Sequence, residues 1–125
     1  MTPFALVVAL AVLAALTVFQ IALICGAPWG RLAWGGAHRV LPLRLRIGSA
    51  VSVVLYAVFA IVLLSRGGLL PGSHSVLVVA GTWVLFGYFV LGIVLNGISR
   101  SAAERWTMTP VCAMLAGMTL IVALS

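Results

Sequence analysis

The sequence predicts an all-α, polytopic membrane protein: a bundle of four transmembrane helices with both termini outside. Three observations carry this. First, 65% of the 125 residues are hydrophobic and only 6% are charged, with a mean hydropathy of +1.34, whereas a soluble domain is about half apolar and about one quarter charged. Second, the apolar residues fall into four long runs without charged side chains. A bilayer core about 30 Å thick is crossed by about 20 helical residues, so four spans take roughly 80 residues and leave about 45 for loops and ends. Third, all seven basic residues are arginine, and six of them lie in the first and third connections. By the positive-inside rule those connections are cytoplasmic. A soluble enzyme and a separate extramembrane domain are excluded.

Each span has local signals. Span one covers about 3–25: Thr2 and Pro3 resemble an N-cap and first helical position, and Gly26 with Pro28 supplies a stop. No positively charged region precedes it, and the run exceeds the 7 to 15 residues of a signal h-region, so a retained helix is expected. Leu23-Ile24-Cys25 is a poor match to a lipoprotein cleavage box.

Span two follows Pro42, covers about 47–65 and ends at Arg66-Gly67-Gly68. The loop from Arg66 to Ser75 is short and rich in turn residues, which makes spans two and three antiparallel neighbours. Span three covers about 76–99. After the polar stretch 100–107, Thr109-Pro110 reads as another cap-and-proline start, giving span four only about 16 residues, 110–125, near the lower limit for crossing. It is expected to be the least tilted span or to lie where the bilayer is thin. Spans one and three each carry a carboxamide near the cytoplasmic end, Gln20 and Asn96, a weak hint of a parallel repeat.

Helical spacing aligns Ser49, Ser52, Tyr56 and Ala60 on one stripe and Tyr88, Gly92, Asn96 and Ser99 on another. Small and polar residues hidden from lipid face the bundle, either as packing surfaces or as the lining of a polar cleft. Gln20 and Asn96 accordingly act as interhelical glue or bind a polar ligand in a cytoplasm-facing vestibule with Tyr56 and Tyr88.

The connection 26–46 is the most distinctive segment. Trp29 and Trp34, flanked by Gly30, Gly35 and Gly36 and followed by His38, Arg39 and Arg44, suit an interfacial segment at headgroup depth. Arg31, His38, Arg39 and Arg44 form a candidate site for an anion or lipid headgroup, with glycine backbone amides assisting. The plainer reading is a connector that sets depth and topology.

Catalytic chemistry has few candidates. Glu104 is the only acid, which excludes paired-carboxylate mechanisms and an acidic di-metal site within one chain. His38 and His74 are assigned to opposite faces. His38 with Glu104 is the one defensible pair for chemistry, although a salt bridge from Glu104 to Arg100, at a spacing of four, or to another loop arginine is the simpler expectation. Cys25 and Cys112, outside any Cys-x-x-Cys motif, are expected as two free, buried thiols. A proton-coupled exporter of the small four-span type carries a carboxylate within a span, and none of the four predicted spans has one.

The stretch Gly26-Ala27-Pro28-Trp29-Gly30 with Trp34-Gly35-Gly36, then His38, Leu41-Pro42, Leu45-Arg46, Glu104 and Thr109-Pro110, resembles an uncharacterised group of small four-span bacterial integral membrane proteins. That resemblance implies a four-helix membrane fold in the bacterial inner membrane and no established activity or cofactor. The expected partners are the bilayer and its anionic headgroups, not nucleic acid, with a homo-oligomer or larger membrane complex open. For function, the sequence points to transport or binding of an anionic ligand or headgroup at the cytoplasmic face. The alternatives are an accessory subunit of a larger membrane complex and, least favoured, an enzyme.

Overall fold

The computed structural model describes residues 2–72 and 74–125. Met1 and Ser73, the latter inside the predicted 66–75 loop, lie outside them. Four helices form, α1 (Thr2–Ile24), α2 (Leu43–Arg66), α3 (Val76–Gly97) and α4 (Ala102–Leu124), with no strand among the described residues. At about 1.5 Å per residue each is about 33–36 Å long, enough to span the hydrocarbon core. All four are also apolar enough to do so. The chain is an all-α, multi-pass membrane bundle.

The helices form a ring in the order α2, α1, α4, α3. α3 packs tightly on α4 and α1 on α2, whereas α2 and α3 touch least of the neighbouring pairs. The core is built from Ala5, Leu6, Ala9 and Leu13 of α1 with Leu63, Leu85, Phe89, Leu115, Ala116 and Val122. Ala5 and Ala9 are fully buried, because a methyl side chain at a spacing of four lets neighbouring backbones approach closely. Outward-facing Val7, Val51, Ile61, Val84 and Leu95 are exposed, as lipid-facing residues must be.

Two helix starts differ from the sequence expectation. α2 begins at Leu43, so Arg44 and Arg46 occupy its first turn and not the connecting loop. α4 begins at Ala102, eight residues before Pro110. Its N-cap is Ser101, whose hydroxyl accepts from the Glu104 amide at 3.3 Å, the Ser-x-x-Glu start of a capping box. Thr109-Pro110 is therefore not a helix start. Pro110 lies within α4 and removes the amide that would bond the Trp106 carbonyl. With 23 residues α4 is as long as its neighbours, and the short, untilted fourth span is not required.

The termini and the end of α2 share one face. There Arg66 donates through Nη2 to the Ala123 carbonyl at 3.1 Å and the Ser125 carbonyl at 2.6 Å, placing a cation on the exposed carbonyls at the C-terminal end of α4. The opposite face carries the long connection between α1 and α2, hereafter the capping loop. It folds as two single-turn 3₁₀ segments, Gly30–Leu32 and Trp34–Gly36. Trp34, Gly35 and Gly36 have φ of +53°, +78° and +74°. Two glycines relieve a left-handed stretch that L side chains resist.

Candidate ligand-binding cavity

The capping loop roofs a cavity of about 320 Å³ inside the bundle. Leu16, Phe19 and Gln20 line it from α1, Ser52 and Tyr56 from α2, and Tyr88, Phe89, Gly92 and Asn96 from α3. Glu104, Met108, Val111, Cys112 and Leu115 line it from α4, and Leu32 through Gly35 form the roof. From Glu104 to Leu115 the wall descends about 16 Å along α4, roughly half a bilayer core. Leu91 and Leu95 also line it while standing more than half exposed. The cavity thus opens sideways on the α3 side, beside the loosely packed α2–α3 seam. Phe59 closes that seam toward the terminal face, with ring centroids 5.2 Å from Tyr88 and 5.9 Å from Phe89.

The two predicted helical stripes meet at this space. Ser52 and Tyr56 face Tyr88, Gly92 and Asn96 across it, while Ser49 is buried behind the roof and Ser99 lies past the end of α3. Each tight helix pair is clasped by its carboxamide. Gln20 Nε2 donates to the Tyr56 hydroxyl at 3.4 Å, and Asn96 Nδ2 donates to the Gly92 carbonyl at 2.8 Å and reaches Cys112 Sγ at 3.3 Å. Gly92 permits that approach: a Cβ there would stand 3.0 Å from Cys112 Sγ. Gln20 Oε1 is buried with no hydrogen-bond partner among the described residues, and Gln20 as a residue is 8% exposed.

Glu104 is 6% exposed, and its Oε2 accepts from the Gly35 amide at 3.0 Å. The predicted bridge to Arg100 is replaced by this contact, because the early start of α4 turns the carboxylate under the roof. Arg105 instead donates to the Ser99 carbonyl at 2.9 Å and Arg46 to the Leu41 carbonyl at 2.8 Å. Glu104 stands in the first turn of α4, at the end of a helix long enough to span. Ser101 Oγ adds a second tie to the loop through the Arg31 carbonyl at 2.5 Å.

Trp34 completes the roof. Its Nε1 donates to Ser49 Oγ at 3.2 Å, and its ring lies on Gly48, where a Cβ would meet it at 2.8 Å. Trp29 points elsewhere, stacked parallel on Phe19 with centroids 6.4 Å apart.

Six of the predicted site residues therefore come together: Gln20, Trp34, Tyr56, Tyr88, Asn96 and Glu104. Trp29, Arg31, His38, Arg39 and Arg44 are exposed and outside the lining. The His38–Glu104 pair gains no geometric support, since Glu104 takes Gly35. Cys112 is half-buried in the wall, but Cys25 is exposed and not buried, because α1 ends one residue before it. Sequence reading placed Ser49 on a bundle-facing stripe and offered the loop glycine amides as donors to an anion, but it did not anticipate Ser101, Glu104 as the acceptor for Gly35, or Arg66 as a clasp. Of these, only Ser101 with Glu104 had a visible signal, the Ser-x-x-Glu spacing.

No family model, curated protein or solved structure matches the chain. Its class, a multi-pass membrane bundle with an internal cavity, rests on its own geometry.

Proposed function

We propose that the protein is a small ligand-binding or transporting membrane protein that takes an amphipathic molecule from the bilayer into the cavity under the capping loop. The observation that carries this reading is the convergence of polar side chains from all four helices, Gln20, Tyr56, Asn96 and Glu104, on one otherwise apolar space with a sideways opening. Binding sites have this make-up, an apolar volume with a few placed polar groups. Exposed Arg31, Arg39 and Arg44 ring the same face and suit anionic headgroups of the surrounding lipid at the depth where a ligand head would enter.

Cys112 supplies the test. In a Cys25→Ser variant in phosphatidylcholine nanodiscs, the rate of N-ethylmaleimide labelling at Cys112 is followed while octyl amphiphiles of different head charge are titrated. Saturable slowing by at least one of them is the expected result. Labelling that none of them slows would overturn the reading.

A further inference from the structure

We infer that Glu104 is the head-group receptor of the cavity, and that the ligand class is a monocationic amphiphile whose ammonium carries N–H donors. This rests on the cavity reading above and assigns its chemistry.

Charge gives the first argument. The chain has a formal charge of +6, yet none of the cavity-lining residues is arginine or histidine, and the one charged lining residue is Glu104. The cavity is thus an acidic space in a basic protein. An anionic head would meet a carboxylate with no lining cation to offset it, and a cationic head would supply what the site lacks.

Hydrogen-bond valence gives the second. The Glu104 carboxylate has about four lone-pair sites, and among the described residues one donor reaches it, the Gly35 amide on Oε2. The sites left over can only accept, so a ligand head that donates N–H bonds fits them.

Shape gives the third. Trp34 and Phe19 stand in the upper part of the wall and Tyr56, Tyr88 and Phe89 further in, so aromatic faces border the path of a cation as well as of an apolar body. With Glu104 two residues into α4 and Leu115 about 16 Å below it, the head lies at the roof and the tail reaches into the membrane, the orientation an amphiphile already has in the bilayer.

The experiment uses the Cys25→Ser protein in phosphatidylcholine nanodiscs and three probes with one tail: octylammonium, octanol and octyl sulfate, compared at equal bilayer concentration. Octylammonium is expected to protect Cys112 at least about tenfold more effectively than the other two, and Glu104→Gln to remove that advantage, the scale of one charge-assisted hydrogen bond. Glu104→Asp, which keeps the charge, is expected to retain most of it. Continued protection by octanol in Glu104→Gln shows that this variant is folded; should octanol protection vanish there, the Asp variant decides. Equal protection by all three probes, or preference for octyl sulfate, overturns the cation assignment while leaving the cavity reading standing. Protection by none overturns both.

Discussion

The Gly35 amide donates to Glu104 Oε2 at 3.0 Å, so the only acidic side chain of the protein holds the roof of the cavity to the first turn of α4. This pair, together with Ser101 Oγ on the Arg31 carbonyl, joins the capping loop to the start of α4. Removing the acceptor forfeits a hydrogen bond to a charged group, worth up to about 1.5–3 kcal/mol. Glu104→Ala is therefore expected to lose stability on that scale and Glu104→Gln, which keeps an acceptor oxygen, clearly less. Unfolding by SDS titration in mixed micelles measures the difference. Equal losses would detach Gly35 from Glu104.

The two adjacent glycines of the roof separate backbone strain from steric overlap. Both have positive φ, but a Cβ on Gly35 meets open space, whereas one on Gly36 overlaps Ser101 Cβ. Gly35→Ala is expected to cost only the left-handed penalty, about 1–2 kcal/mol. Gly36→Ala adds an overpacking cost of about 1–3 kcal/mol. The same SDS titration ranks them, and a Gly35 variant as damaging as Gly36 would contradict the loop packing.

Gly48 tests whether Trp34 is the plug. A side chain there must displace the indole that lies on it, and with it the bond to Ser49. Gly48→Val in the Cys25→Ser background is expected to quicken Cys112 labelling several-fold and to change the emission of Trp34 as the ring leaves its site. Unchanged labelling would show that the roof does not limit entry.

Much of this site was legible in spacing alone. Ser52 and Tyr56, like Tyr88, Gly92 and Asn96, recur every three or four residues, so any helix through them brings them onto one face. Glu104 was misread because polar residues 100–107 look like loop when helices are recognised by apolarity. A helix that begins at the interface is polar in its first turns, and Ser101 with Glu104 caps it. The glycine amides of the loop were legible as donors, but not the pairing of Gly35 with Glu104: the amide faces the carboxylate only once three consecutive residues turn left-handed, a property of the folded loop.

Arg66 was read as part of the stop that ends span two, yet it clasps two carbonyls of the α4 end. Arg66→Met keeps much of the apolar stem and removes the donors. Amide exchange in the last turn of α4 is expected to accelerate by about tenfold or more, matching loss of a charge-assisted contact of about 1.5–3 kcal/mol. Exchange confined to its original rate would show that packing alone holds that turn.

Orientation decides which compartment the cavity roof faces. Six arginines lie on the face of the capping loop: Arg31 and Arg39 in that loop, Arg44 and Arg46 in the first turn of α2, Arg100 in the connection between α3 and α4, and Arg105 in the first turn of α4; only Arg66 lies on the terminal face. The bias grows once Arg66 is engaged by the α4 carbonyls, because it then has an evident structural reason to be there. The capping loop is therefore expected in the cytoplasm. An impermeant maleimide on intact cells should label His74→Cys in a background with Cys25 and Cys112 replaced by serine. Native Cys25, exposed at the end of α1, should label only after permeabilisation. The reverse pattern would put the roof, Glu104 and the mouth of the cavity on the outer side, and a cationic ligand would then be taken from the opposite leaflet.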